Sequence, residues 1–131
     1  MDDINIHCWE KVLVNIGINA LGAISGLKNG QLLENEKLKI LMKVLVLEAL
    51  TIARKQSIKL PQKDYVSIMY QVAEDTSNNL NSMLQDVLKN RFTEIDFMNG
   101  KIVQLAEELN INVPFNKIIT LLIKGLEKSY I

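Results

Sequence analysis

The sequence predicts an all-α bundle folded as one domain, and three observations carry that prediction. Apolar residues recur at the helical period of 3.6, and strict apolar/polar alternation never lasts a useful length. Six glycines and two prolines are few for a chain built from strands and tight turns. The 131 residues, 48% of them hydrophobic, are enough to bury one sizeable core.

The first helix is predicted over residues 6–27. It is apolar nearly all the way round, through Val12, Leu13, Val14, Ile16, Ile18, Ala20, Leu21, Ala23 and Ile24, as a central buried element would be. Gly17, Gly22 and Gly26 would each cost about 1 kcal/mol relative to Ala inside it, which makes sense where something packs very close. Asn29-Gly30 then forms a turn. A second helix is predicted over 36–56, with Asn35 as its N-cap and Ile40, Leu41, Val44, Leu45, Leu47 and Ile52 as most of its buried surface. Pro61 suits the first position of a third helix, over 61–76. Asn78, Asn79 and Asn81 mark a polar break before a short helix over 82–89. Thr93-Glu94-Ile95-Asp96 has the form of a capping box and opens a fifth helix that reaches residue 109. Residues 110–114 form a linker, and the last helix covers 115–130. No internal repeat or low-complexity tract interrupts this order.

Composition narrows the function classes. Fifteen Lys and Arg balance fifteen Asp and Glu, which argues against a nucleic-acid or anionic-membrane partner held by bulk charge. One cysteine, Cys8, and one histidine, His7, leave no intramolecular disulfide and no cysteine- or histidine-rich metal site, so no metal is expected. No apolar run approaches the roughly 18 residues that span a bilayer. Met1-Asp2-Asp3 lacks the basic start of a secretory leader, so a cytoplasmic location is expected. Neither a Gly-x-Gly-x-x-Gly turn nor a Gly-rich Lys-Ser/Thr loop is present, so the chain has no nucleotide-binding signature of its own. Trp9 reads as a packing anchor, Cys8 as an inert small apolar residue and the methionines as gap fillers.

Polar residues on apolar surfaces are the informative ones. Lys11, Asn15 and Asn19 stand at i, i+4 and i+8, one narrow stripe on an otherwise apolar helix. Asn is a poor helix former, and buried amides need partners. The stripe is either a helix edge meeting water and neighbouring backbone, or a wall of a polar pocket that turns one cation and two amides toward a small oxygen-rich anion. Glu48 interrupts an apolar run from Val44 to Leu50. It lies either at a surface margin or against a buried cation, for which Lys11 is a candidate. Ser82 opens a helix, where a hydroxyl and free N–H groups either cap the helix or hold an anion. Glu94 falls in the first turn of its predicted helix, where a carboxylate suits the macrodipole.

These residues sit in motifs that resemble a known family. Trp9-Glu10-Lys11 followed by Asn15 and Asn19 looks like the helix that opens the C-terminal domain of ketopantoate reductase (2-dehydropantoate 2-reductase). Asn29-Gly30-Gln31-Leu32 resembles the turn that follows it. Ser82-Met83-Leu84-Gln85-Asp86 with Arg91-Phe92-Thr93-Glu94-Ile95-Asp96-Phe97-Met98-Asn99-Gly100 resembles a second signature, and Asn112-Val113-Pro114-Phe115-Asn116 a third. The likeness runs through the whole chain, in order. It implies an all-helical bundle like the C-terminal domain of 6-phosphogluconate dehydrogenase, and a full enzyme that reduces ketopantoate to (R)-pantoate with NADPH, on the way to pantothenate and coenzyme A. It also implies roles. Lys11 matches the general acid, and Asn15, Asn19 and Asn29 match substrate-binding positions. Asn79 and Ser82 match the loop that holds the substrate carboxylate and hydroxyl. Glu94 matches a residue at the junction of cofactor and substrate, and Glu48 a supporting acid near the lysine. Asn81 departs from the pattern, standing where the family commonly has a second serine.

The resemblance assigns residues 1–131 to the substrate-binding and catalytic-acid domain. The Rossmann domain that holds most of the NADPH in the family is absent from this sequence. The chain alone is therefore expected to be inactive in hydride transfer, because the cofactor carries that chemistry. Its expected partners are a small 2-keto acid, a Rossmann domain and a second copy in a homodimer. The alternative function is a stand-alone helical module for dimerisation or partner binding.

Overall fold

The fold is that of a computed structural model describing residues 2–131, with side chains described from residue 5 onward. Met1, and the side chains at the acidic start on which the expectation of no leader rests, lie outside what is described. Among the described residues eight α-helices follow one another: α1 (Asp2–Ile16), α2 (Asn19–Ser25), α3 (Asn29–Glu34), α4 (Glu36–Ala53), α5 (Tyr65–Asp75), α6 (Ser82–Leu88), α7 (Asn99–Leu109) and α8 (Pro114–Tyr130). A single 3-10 turn, Ile95–Phe97, precedes α7, and no strand occurs among the described residues. The all-α expectation holds.

The long helix expected over 6–27 is two helices. Gly17 N–H and Ile18 N–H donate to the carbonyls of Val14 and Asn15, three residues back, so the last turn of α1 tightens and the chain leaves the α path. A side chain at Gly17 would collide with Val46 of α4 and Met69 of α5, so α1 ends where two helices close on it. Gly22 likewise admits the Asn81 amide, which reaches in from the start of α6. Gly26 serves differently: it ends α2 in the left-handed region at φ 76°, with open space around it. Close packing therefore explains two of the three glycines.

Other boundaries follow local chemistry to different degrees. Asn35 caps α4, its side chain accepting from Leu38 N–H as expected. The buried face of α4 is Met42, Leu45, Val46, Ala49, Ile52 and Ala53, whereas Ile40 and Leu47 point to solvent. Pro61 does not start α5. Asp64 does, accepting from Ser67 N–H, and residues 61–64 form an irregular lead-in with tight backbone bonds from Lys63 to Pro61 and from Tyr65 to Lys63. Thr93 and Asp96 do not form a capping box: Thr93 Oγ1 accepts from Ile95 N–H and donates to Glu127, while Asp96 pairs with Lys124.

One core joins these elements. α1 packs on α4 and α5, α2 on α6 and α8, and α7 on α8 and α4. Leu13, Ile16, Leu45, Met69, Ile102 and Ile123 are fully enclosed where these contacts converge. Four methionines (Met42, Met69, Met83 and Met98) are buried, as gap fillers would be, and Trp9 is half-buried against the core. Cys8 is exposed rather than packed. No helix is long and apolar enough to cross a membrane, and no metal-binding group of side chains occurs, both among the described residues.

Candidate functional site

Lys11 is placed by its neighbour. Glu10 accepts from the Tyr65 hydroxyl at 2.8 Å and pairs with Lys63 at 3.0 Å, which anchors that turn of α1 to the lead-in of α5. The Tyr65 hydroxyl and then the Lys63 ammonium hold the Glu10 carboxyl below its ordinary pKa. Burial first, then Glu10, push the Tyr65 phenol up to about 12. Lys11 itself is exposed and makes no hydrogen bond or ion pair among the described residues.

Asn15 and Asn19 stand on either side of the break, so the expected straight stripe is bent at Gly17. Asn15 is half-buried, and its carbonyl receives the tight bond from Ile18. Asn19 opens α2, is buried, and points its Nδ2 at the Met98 sulfur, 3.8 Å away. That contact joins it to the turn carrying Glu94, because Met98 N–H donates to the Ile95 carbonyl.

Asn29 opens α3 and is stitched to the Asn79 loop. Its N–H donates to the Asn79 carbonyl at 3.1 Å, its Nδ2 to Thr76 Oγ1 at 2.9 Å, and Gly30 N–H donates to the Ser77 carbonyl. The Asn29 Oδ1 is buried without a protein partner, an acceptor left open in a place where buried acceptors are normally satisfied. Asn79, on the loop, and Ser82, the first residue of α6, are both exposed. Asn81, not Ser82, caps α6: its Oδ1 accepts from Leu84 N–H, and its Nδ2 donates to the Ile18 carbonyl at the α1–α2 break. The Ser82 hydroxyl is thereby free of a capping role.

Glu94 is exposed and precedes the 3-10 turn rather than lying in a helix, so no macrodipole of a long helix acts on it. Its turn is held from behind by α8. Glu127, itself buried, accepts from both Thr93 N–H and Thr93 Oγ1 at 2.7 Å, Lys124 pairs with Asp96, and the Tyr130 hydroxyl donates to the Arg91 carbonyl.

Two links thus unite five of the candidates: Asn29 with Asn79 and Ser82 through one loop, and Asn19 with Glu94 through Met98. Asn81 bridges the two groups by reaching Ile18, next to Asn19. Lys11 and Asn15 extend the set along α1. Glu48 does not join it. Its carboxylate accepts from Phe115 N–H (3.2 Å), Asn116 N–H (3.0 Å) and Asn116 Nδ2 (2.9 Å), so it caps α8 and forms no ion pair with Lys11. The free N–H groups of a helix start are a stronger draw for a half-buried carboxylate than a solvated ammonium. Asn116 extends this into a buried network by accepting from Asn99 Nδ2 and donating to the Leu45 carbonyl.

Sequence reasoning missed Asn81, Thr93 and Glu127 as the groups that fix the loops. Asn81-Ser82-Met83-Leu84 does carry the Asn-x-x pattern of an N-cap, one residue ahead of the serine. Glu127 carries no local signal.

The arrangement presents one exposed cation, several amides and a free hydroxyl along connected segments, a donor set suited to a small carboxylate with a neighbouring oxygen. Known proteins are similar to the chain in fold and in sequence. The model of the ketopantoate reductase PanE/ApbA C-terminal domain matches residues 3–127. The 2-dehydropantoate 2-reductase of Pyrococcus horikoshii is 39% identical over 91% of this chain and 39% of its own length. That of Vibrio cholerae is 37% identical over 93% of this chain and 41% of its own. A PanE/ApbA family ketopantoate reductase from Ralstonia eutropha superposes with a TM-score of 0.88 at 32% identity, covering 93% of this chain and 41% of that one. D-mandelate dehydrogenase in complex with NADH superposes with a TM-score of 0.91 at 25% identity, covering all of this chain and 45% of that one. The chain thus spans about two fifths of the length of the relatives it matches.

Proposed function

The chain belongs to the ketopantoate reductase family through its C-terminal domain, and on that premise we propose that it holds the substrate and donates the proton in the NADPH-dependent reduction of a 2-keto acid, ketopantoate first. The observation that supports the proposal is that the segments bearing the polar set are joined. Asn19, Asn29, Asn79, Ser82 and Glu94 come from four separate stretches of sequence, yet hydrogen bonds tie their segments together.

The residues present do not make a dinucleotide cradle: among those described there is no strand and no glycine-rich strand-to-helix turn. The chain can offer the cofactor an edge contact at Glu94 and little more. The reductant's hydride therefore comes from a domain outside this sequence, and the chain alone is inactive in hydride transfer. What the chain's own residues do is bind, orient and protonate. Asn79 and Ser82 hold the carboxylate and hydroxyl end of the keto acid, and Asn29 binds alongside them. Asn15 and Asn19 line the path to the carbonyl. Lys11 Nζ gives its proton to the carbonyl oxygen as negative charge builds there. Glu48 acts at a distance, by fixing α8 against α4. The same reading has the complete enzyme working in the cytoplasm as a homodimer, without a metal.

Calorimetric titration of the chain with ketopantoate tests this reading. Binding is expected, weakened because the facing half of the pocket is missing, and expected to vanish in Lys11→Ala. Heat unchanged by Lys11→Ala would favour the second reading, a helical dimerisation or partner-binding module, for which the exposed apolar side chains of α8 speak.

A further inference from the structure

A cleft of about 200 Å³ opens between α1 and the turn that leads into α7. Cys8, Trp9 and Val12 form its α1 wall, and Phe97, Lys101 and Ile102 form the other. Only Lys101 among these six is charged, and it makes no ion pair among the described residues. None of the six belongs to the polar set, yet the cleft lies against that set on two sides. On α1, Cys8 and Val12 stand three residues before Lys11 and Asn15, so the apolar wall is the ridge next to the lysine and asparagine. Across the cleft, Phe97 ends the 3-10 turn that Glu94 precedes, and the adjoining Met98 takes the Asn19 amide. Phe97 is 75% exposed, an aromatic ring turned to solvent at the mouth.

We propose that this cleft is the specificity pocket of the keto-acid site and takes an apolar side chain of phenyl or isobutyl size carried on the acid. The inference rests on the reading of Lys11 given above and deepens it by adding a substrate class, aryl and branched-alkyl 2-keto acids. Size supports it. A cavity of about 150 Å³ walled by aliphatic and aromatic side chains is enough to take a benzene ring. The methyl group of pyruvate would leave most of the cleft unfilled, whereas a benzyl or isobutyl group fills it against Trp9, Val12 and Phe97. Reach supports it too. Side chains at i and i+3 lie about 5–6 Å apart at their Cβ atoms, close to the length of a benzyl group. A keto carbonyl at Lys11 can therefore put its side chain into the neighbouring ridge. Lys101, at the edge, adds a positive charge that favours an acid over a cationic ligand of the same shape.

The only tryptophan and the only cysteine of the chain both line the cleft, so each reports on it without a substitution. The 131-residue chain is titrated with phenylpyruvate, ketoisocaproate and pyruvate, which share the keto-acid head and differ in the side chain. Calorimetry gives the affinities, and the Trp9 indole N–H signal and the rate of Cys8 alkylation by iodoacetamide report on the cleft. The two larger acids are expected to bind at least tenfold more tightly than pyruvate, to shift the indole signal and to slow the alkylation. Phe97→Ser should lower the affinity for phenylpyruvate at least five times more than that for pyruvate, with circular dichroism showing an intact fold. Phe92→Ser, at an exposed phenylalanine outside the cleft, should change neither. Lys11→Ala should weaken all three acids alike. Equal affinity for the three acids, lost in Lys11→Ala, would overturn the pocket and leave the reading of Lys11 standing. So would a preference that survives Phe97→Ser, or tight binding that leaves Trp9 and Cys8 untouched. Binding indifferent to Lys11→Ala, or no binding of any of the acids, would overturn that reading and the pocket with it.

Discussion

Single side chains carry much of the order in this bundle, and Glu48 is the clearest case. Its position in an apolar run marked it as unusual in sequence, but its partners are 67 and 68 residues away and belong to the start of α8. No local pattern could have named them. Glu48→Ala removes three acceptor contacts from a helix start and is expected to lower stability by about 1–3 kcal/mol, read from urea unfolding. An unchanged midpoint would mean that α8 is held by its apolar face alone. Tyr65 gives a pH signature. Its pKa is raised to about 12 from about 10, so the neutral phenol is favoured in the folded chain. The stability it lends is full below pH 10 and is lost as pH rises toward 12. Glu10 works in the opposite sense. Its carboxyl is held below its ordinary value, so its contribution is full above the ordinary carboxylate pKa and is lost as pH falls through the folded one. Tyr65→Phe should therefore shrink both the alkaline and the acid loss of stability. Identical pH profiles for the two proteins would separate this hydrogen bond from the stability of the fold.

At the scale of elements, the break between α1 and α2 shapes the site. Apolar periodicity runs straight through Gly17 and Ile18, so a sequence reading sees one helix. What periodicity cannot show is that Val46 and Met69 occupy the space a side chain at position 17 would need. The Ile18 carbonyl accepts from Gly22 N–H at the start of α2 and also receives the Asn81 amide, which couples α2 to the start of α6 and the loop before it. Gly22→Ala tests that coupling. Helix propensity alone predicts a gain of about 1 kcal/mol. Collision with the Asn81 amide, which caps α6, reverses the sign, and a net loss of about 1–3 kcal/mol is expected from thermal unfolding. A stabilised variant would show that α2 and α6 can part without consequence. The helix ends legible in sequence are those made by neighbouring residues: Asn35 before α4 and the polar break before α6. Those that were not legible depend on distant groups. Thr93 looked like a cap until Glu127 claimed its hydroxyl, and Pro61 looked like a first turn until Asp64 took the cap.

On the proposed function, the whole molecule supplies one face of a substrate pocket. The polar residues of the site were legible because asparagine and lysine are out of place on apolar helices, and their motifs matched a family. What holds them together was not, because Asn81, Met98 and Glu127 act across 63, 79 and 34 residues of chain. The most direct test of the central claim is a titration of the isotope-labelled chain with ketopantoate, followed by the amide signals of its backbone and asparagine side chains. The account predicts shifts gathered at Asn15, Asn19, Asn29, Asn79 and Ser82, and their loss in Lys11→Ala. Shifts scattered over the exposed face of α8, or none at saturating keto acid, would contradict it.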